Sequence, residues 1–338
     1  MSFRFRFRAA YSLIAGVALA PFVPLALAQE AAPPAIHLDV DRVNVGVVVT
    51  DSSGRFVTGL RRGDFRLFDD GTEQPITDFL SAEEPAQVLL LIEAGPAVYL
   101  LEEGHLAAVQ ALLNGLAPSD RVAIARYNEG AEAILDFTTD KRVAAAALDR
   151  LQFNLGFGQL NLAASMNTAL DWLAHVPGKK SLVILTTGVD TTPASAMDVL
   201  LRRLKTSDVR TLLISLAGEL RSGQPAGKKP AKQSRPAGDK NQVVADALAH
   251  ADEELRVLAE ANGGRVYFPE SPRDFASVFA EIAQIVRHEY NLGFVPPADD
   301  GKLHAIDVRI ADTGGSSADV APLTGYRIAH RQAYVAPQ

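Results

Sequence analysis

Alternation of apolar and polar residues indicates β-structure in the first part of the chain. Apolar side chains recur at every second position in two runs within residues 36–50, and residues 65–68 alternate in the same way. A period of two is typical of a strand with one buried face. Asp70-Gly71, a dipeptide that favours a tight hairpin, follows directly. We therefore predict a small β segment over residues 36–84.

A different pattern begins near residue 85. Continuous apolar runs at residues 88–92 and 182–185 are typical of strands that are buried on both faces. Segments with apolar spacings of three and four separate such runs, as at residues 101–116, and these spacings predict helices. Strands that alternate with helices in this way predict a doubly wound, mostly parallel α/β sheet over residues 85–287.

Strand-like alternation returns in residues 288–338, so one β segment precedes the α/β unit and another follows it. We predict that both segments form one small β-sandwich into which the α/β domain is inserted, because insertion is tolerated where chain ends lie close together. Two independent β appendages that flank the α/β domain are the alternative interpretation.

The N-terminal residues predict export. Three arginines precede an apolar stretch at residues 9–27, and Ala26-Leu27-Ala28 provides a small-residue cleavage site. We expect a signal peptide at residues 1–28, a linker at residues 29–35, and a periplasmic or secreted protein; an uncleaved membrane anchor is the alternative. Cleavage would remove three arginines and no acid, which changes the net charge from −7 to −10.

Composition excludes several classes of chemistry. The chain has no cysteine, which rules out disulfide scaffolds, thiolate metal sites and cysteine nucleophiles. Its acidic balance argues against nucleic acid as a partner. Residues 221–240 differ from the rest, with six basic residues, one acid and almost no hydrophobic side chain. We interpret this segment as a disordered loop, which is either a passive insertion or a contact for an anionic surface.

Catalytic motifs are missing from the sequence. The nucleophile elbow G-x-S-x-G and the zinc motif H-E-x-x-H do not occur. The seven histidines show no metal-ligand spacing, and the acidic pairs Asp69-Asp70 and Asp299-Asp300 precede glycines, as turn residues do. We therefore predict that the protein is not an enzyme.

Four segments carry a resemblance to a known family. The α/β unit resembles a von Willebrand factor A domain, and the chain from residue 40 onwards resembles bacterial proteins that contain such a domain. The segments are VNVGVVVTDSSGRFVTGLRRGDFRLFDDGTEQPITDF, VLLLIEAGPAV, LVILTTGVDTT and YNLGFVPPADDGKLHAIDVRI. The resemblance implies an α/β fold and a role in protein binding.

The resemblance also implies where a metal would bind. The family holds a divalent cation with an Asp-x-Ser-x-Ser motif after the first strand of the domain, a threonine on a later loop and an aspartate after the fourth strand. The corresponding positions in this chain are Glu93, Gly95, Ala97, Leu160 and Thr187. Three of these side chains carry no oxygen, whereas hard cations need oxygen ligands. We therefore expect neither a metal at this site nor another cofactor.

A binding rim is expected at the carboxyl ends of the parallel strands, where ligands of open α/β sheets collect. Our leading hypothesis is an exported, non-catalytic module that binds a protein ligand there without a metal. One alternative is a cell-envelope scaffold that binds through its β-sandwich or its basic loop; an undetected hydrolase is the other. The candidate rim residues are Glu93, Pro96, Phe157, Leu160, Asn161, Thr187 and Asp190.

Overall fold

A computed structural model describes the chain at residues 42–95, 102–151, 159–189, 192–218, 240–311 and 325–337. The predicted signal peptide (1–28) and linker (29–35) lie outside these described residues, and so does the basic loop apart from Lys240.

The described residues form fourteen strands and six α-helices. The strands are β1 (Val43–Asp51), β2 (Phe65–Asp69), β3 (Thr72–Gln74), β4 (Asp78–Leu80), β5 (Ala86–Glu93), β6 (Arg121–Tyr127), β7 (Ala131–Thr138), β8 (Lys179–Thr186), β9 (Arg210–Ser215), β10 (Arg265–Tyr267), β11 (Glu289–Phe294), β12 (Leu303–Ile310), β13 (Tyr326–Ala329) and β14 (Ala333–Val335). The helices are α1 (Glu102–Gly115), α2 (Lys141–Leu148), α3 (Leu162–Ala174), α4 (Ala194–Thr206), α5 (Lys240–Glu260) and α6 (Pro272–His288). In the described part of the chain, none of the helices combines the length and the apolar character that crossing a bilayer requires.

The central sheet has the strand order β10-β9-β8-β5-β6-β7. Its first five strands run parallel to one another, and β7 runs antiparallel to β6. Only residues 128–130 separate β6 from β7, and a parallel pair would need a crossover of a dozen residues or more. The short connection therefore determines the reversed direction of this edge strand.

Helices cover both faces of the central sheet. Val88, Leu90 and Ile92 of β5 pack in one apolar cluster with α1, α2 and α6. Leu89 and Leu91 face the opposite side, where they join a cluster with α3, α4 and α5. Both faces of β5 are thus buried, which is why its sequence is continuously apolar instead of alternating.

The two terminal β segments form a sandwich of two four-stranded sheets, β13-β1-β11-β4 and β14-β12-β2-β3. In each sheet an N-terminal strand pairs antiparallel with a C-terminal strand, β1 with β11 and β2 with β12. Inward side chains of these four strands share one core with Tyr334 of β14. The predicted fold class, an α/β sheet within a β-sandwich built from both ends of the chain, is confirmed.

Buried polar groups connect the sandwich to the central sheet. The Nζ atom of Lys179 donates hydrogen bonds to the carbonyl oxygens of Ser81, Ala82 and Glu289. Burial lowers the pKa of this ammonium group, and the nearby charge of Glu289 opposes that shift. The Glu289 carboxylate in turn accepts from Arg210 at 2.6 Å. These contacts anchor the start of β8 and β9, and the site described next lies at the other end of β8.

Candidate functional site

The polar side chains of the site lie at the carboxyl ends of three neighbouring parallel strands. Glu93, the last residue of β5, is in register with Tyr127, the last residue of β6. On the other side of β5, Ile92 pairs with Leu185, so Thr186 at the end of β8 lies beside Glu93. The parallel pairing therefore brings together three residues that are far apart in the sequence.

The Glu93 carboxyl is the centre of a hydrogen-bond network. Its Oε2 atom accepts from the backbone N–H of Thr187 at 2.6 Å and lies 2.9 Å from the hydroxyl of that residue. The hydroxyl of Thr186 donates to Oε2 at 3.1 Å, and the hydroxyl of Tyr127 donates to Thr186 at 2.7 Å. The Oε1 atom lies 3.0 Å from the Thr187 hydroxyl. Both carboxyl oxygens are thus occupied by groups of the chain itself.

Burial controls the protonation of Glu93. The residue is only 1% exposed, and loss of solvent raises the pKa of its carboxyl, although the hydrogen bonds from Thr187, Thr186 and Tyr127 oppose that shift. All four donor groups, including the Tyr127 hydroxyl at 3.3 Å, lie within hydrogen-bond distance of Oε2, and only the Thr187 hydroxyl also reaches Oε1. Oε1 is therefore the atom that can carry a proton and donate it to the Thr187 hydroxyl.

The side chain of Leu160 fills the space beside Glu93. A Cβ atom placed on Gly95 would lie 3.2 Å from Oε1 of Glu93 and 3.2 Å from a methyl carbon of Leu160. This space is therefore too tight for a larger residue at position 95 unless its neighbours shift. Position 95 is where the family pattern has its first serine, so the apolar Leu160 and the longer Glu93 together occupy the surroundings of that serine.

Asn161 has a structural role at the same edge. Its side-chain oxygen accepts from the backbone N–H of Ala164, which caps the N-terminus of α3, and also from the hydroxyl of Thr192 at 3.2 Å. Its backbone N–H donates to the carbonyl of Asn128. The residue thereby fixes the segment after β8 and the β6–β7 connection relative to α3.

The structure brings together Glu93, Gly95, Leu160 and Thr187, with Asn161 next to Leu160 in the chain. The other predicted positions, Pro96, Ala97, Phe157 and Asp190, lie outside the described residues.

Sequence reasoning missed two partners of Glu93, which are Tyr127 and Thr186. Tyr127 ends β6 and Thr186 ends β8, but only the order of the strands shows that both strands flank β5. Val189, a hydrophobic side chain that is 44% exposed two residues after Thr187, was also not predicted as part of the rim.

Comparison with known proteins agrees with this architecture. Residues 103–189 match the family model of the von Willebrand factor type A domain. The matched range covers α1 through β8 and ends just after Thr187. Residues 103–189 of the α/β unit are therefore similar to a von Willebrand factor type A domain, in agreement with the resemblance seen in the sequence. No curated protein matches the sequence.

The solved structures that match this chain share little of its sequence. An aerotolerance-related membrane protein from Bacteroides fragilis is 15% identical, covering 60% of this chain and 98% of its own, with a TM-score of 0.41. A von Willebrand factor type A protein from Catenulispora acidiphila is 13% identical, covering 89% and 75%, with a TM-score of 0.45. The manganese-loaded TRAP protein of Plasmodium vivax is 12% identical, covering 80% and 98%, with a TM-score of 0.40.

Proposed function

We propose that the protein is an exported, non-catalytic interaction module whose von Willebrand factor type A domain binds a protein ligand without a divalent cation. The contact surface is the rim at the carboxyl ends of β5, β6 and β8, and the N-terminal residues 1–28 direct export. One observation carries the proposal: the Glu93 carboxyl is buried and is hydrogen-bonded within the chain, in the place where the family pattern has a metal ligand.

The chemistry of the rim supports binding without a metal. A cation at this position would have to displace the donors of Thr186 and Thr187 from Glu93, and Gly95 and Leu160 offer no side-chain oxygen in return. A partner would instead contact apolar surface, of which Val189 is the most exposed described part, and backbone groups of the loops.

The same geometry supports a non-catalytic role. An acid–base group must come within hydrogen-bond reach of its substrate, whereas Glu93 is enclosed by Thr186, Thr187 and Tyr127. Tyr127 is likewise buried. The polar groups of the network hold the ends of three strands together and are not open to a substrate.

Affinity capture with matched variants tests the proposal. The purified chain is immobilised and exposed to cell-envelope extract of its own organism, and bound proteins are compared by quantitative mass spectrometry with and without EDTA. We expect a partner that is retained in EDTA and whose recovery falls at least tenfold with Val189→Asp or Leu160→Asp, because a buried charge at an apolar contact is costly.

Val143→Asp is the control, since Val143 is 46% exposed, almost the same as Val189, but lies on α2 away from the rim. It should leave recovery of the partner unchanged. Loss of the partner in EDTA would contradict a metal-free contact, and equal recovery with the rim variants and the control would contradict the location.

A further inference from the structure

A second group of polar side chains lies in the β-sandwich, where β2 meets β12. Asp69 ends β2, Asp70 begins the turn towards β3, and His304 is the second residue of β12. The Nδ1 atom of His304 lies 3.3 Å from Oδ1 of Asp69 and 2.9 Å from Oδ2 of Asp70. This arrangement could not be predicted from the sequence, because the two acids precede a glycine, as turn residues do, and the histidine is more than 200 residues away.

One atom of this group is left without a hydrogen bond. The Asp69 side chain is 1% exposed, and its Oδ1 atom, which faces Nδ1 of His304, accepts none. A buried carboxylate oxygen that lacks a donor is costly. A cation bound between this oxygen, the imidazole nitrogen of His304 and the carboxylate of Asp70 would supply the missing partner.

The remaining atoms of the three side chains are held by other groups. Oδ2 of Asp69 accepts from the hydroxyl of Tyr334 at 3.0 Å, and Oδ1 of Asp70 accepts from the backbone N–H of Ala305 at 2.8 Å. Nε2 of His304 lies 3.1 Å from a carboxylate oxygen of Asp300. Metal-binding histidines commonly donate their second ring N–H to a carboxylate, which leaves the other nitrogen free as a ligand.

Three atoms face one another in this group: Nδ1 of His304, Oδ1 of Asp69 and Oδ2 of Asp70. Their spacing and type select a class of ion. A tetrahedral zinc ion with ligand bonds of about 2.0–2.2 Å separates its ligand atoms by roughly 3.3–3.6 Å. The two distances at Nδ1 are close to that range, and the exposed Asp70 side chain can adjust. One imidazole and two carboxylates suit zinc and related transition metals, whereas magnesium and calcium prefer oxygen ligands alone.

We propose that Asp69, Asp70 and His304 form a binding site for a divalent transition metal of the zinc class, with Asp300 and Tyr334 as the groups that orient its ligands. The site is separate from the rim and does not depend on the proposed function. Its ligands come from both terminal β segments, so the ion would link the two chain regions that the α/β domain separates. Metal binding that closes so long a loop adds directly to the stability of the fold.

Zinc titration of the purified, chelator-stripped full chain by isothermal calorimetry tests the site. We expect one zinc ion per chain, an affinity at least tenfold weaker in Asp70→Asn and His304→Gln, and magnesium or calcium affinity at least tenfold below that of zinc. Asp300→Asn should weaken zinc 10- to 100-fold, as loss of an orienting carboxylate does elsewhere. Zinc should also raise the thermal unfolding midpoint of the unsubstituted chain but not that of Asp70→Asn.

Asp70→Asn is the decisive variant because it preserves the local fold. Asp70 has a φ of 46°, a left-handed conformation that asparagine also adopts, and the amide oxygen can still accept from Ala305. Asp299→Asn is the matched control, an exposed neighbouring acid that should leave zinc affinity unchanged. Absence of zinc binding by the unsubstituted chain, or zinc affinity that Asp70→Asn and His304→Gln do not alter, would overturn the proposal.

Discussion

Glutamate at position 93 differs from the aspartate of the family pattern by one methylene, and the structure shows what that methylene does. The longer side chain reaches across the end of β8, where it accepts from both the backbone and the hydroxyl of Thr187. At the level of single residues, the carboxyl thus joins the ends of β5 and β8. Thr187, at the family's aspartate position, supplies the donors.

Replacement of Glu93 by glutamine tests the protonation of this buried carboxyl. Because burial raises its pKa above the ordinary value of 4.5, the folded chain binds the proton more tightly than the unfolded chain does. The resulting stability is fully present below that ordinary value and is lost as pH rises through the raised pKa. We expect the unsubstituted chain to lose more free energy of unfolding between pH 4 and pH 8 than Glu93→Gln does, as measured by urea denaturation.

Glutamine can keep most of the contacts in this variant. Its carbonyl oxygen can take the place of Oε2, and its amide can donate to the Thr187 hydroxyl from the place of Oε1. Glu129→Gln, at an exposed glutamate, is the control for loss of an acidic group and should follow the pH dependence of the unsubstituted chain. Parallel curves for the unsubstituted chain and Glu93→Gln would show that the carboxyl does not titrate differently on folding.

Among the elements, helix α3 has the clearest connection between local sequence and the rim. Asn161 caps its N-terminus, and the same oxygen accepts from Thr192 beyond β8. Asn161→Ala removes both hydrogen bonds, so we expect a loss of about 1 kcal/mol in the free energy of unfolding, typical of a lost N-cap. Chemical denaturation measures this loss. Asn161→Asp keeps an acceptor at the cap and should retain most of the stability; equal losses in both variants would contradict the capping role.

Elements were predictable from the sequence wherever the burial pattern was strong. The continuous apolar run of β5 and the alternation of β1 each reflect how many faces of the strand are buried, and both were identified. The three-residue strand β14 was not predicted, because so short a segment shows no period. The site was predictable only in part: the position of Glu93 followed from its strand, whereas its contacts with Tyr127 and Thr186 depend on strand order.

At the scale of the whole molecule, the sandwich and the α/β domain share a buried ion pair. Arg210 of β9 and Glu289 of β11 lie 2.6 Å apart with side chains that are almost completely buried, and Arg210 also donates to the carbonyl of Gly263. Such a pair stabilises a fold less than its Coulomb attraction suggests, because both charges lose their hydration. Removal of one charge of the pair should therefore destabilise the fold much more than removal of both charges.

Arg210→Ala leaves the Glu289 carboxylate buried without its main partner, and we expect a loss of about 3–5 kcal/mol in the free energy of unfolding. The double variant Arg210→Met with Glu289→Met removes both charges and fills the space, so its loss should be less than half as large.

Circular dichroism follows the whole chain during denaturation, while the fluorescence of Trp172, the single tryptophan, follows the α/β domain. Since the pair joins the two parts, both signals should shift together in Arg210→Ala. A shift confined to circular dichroism would mean that the sandwich unfolds on its own. A double variant as unstable as Arg210→Ala would mean that the geometry of the ion pair matters more than the unpaired charge of Glu289.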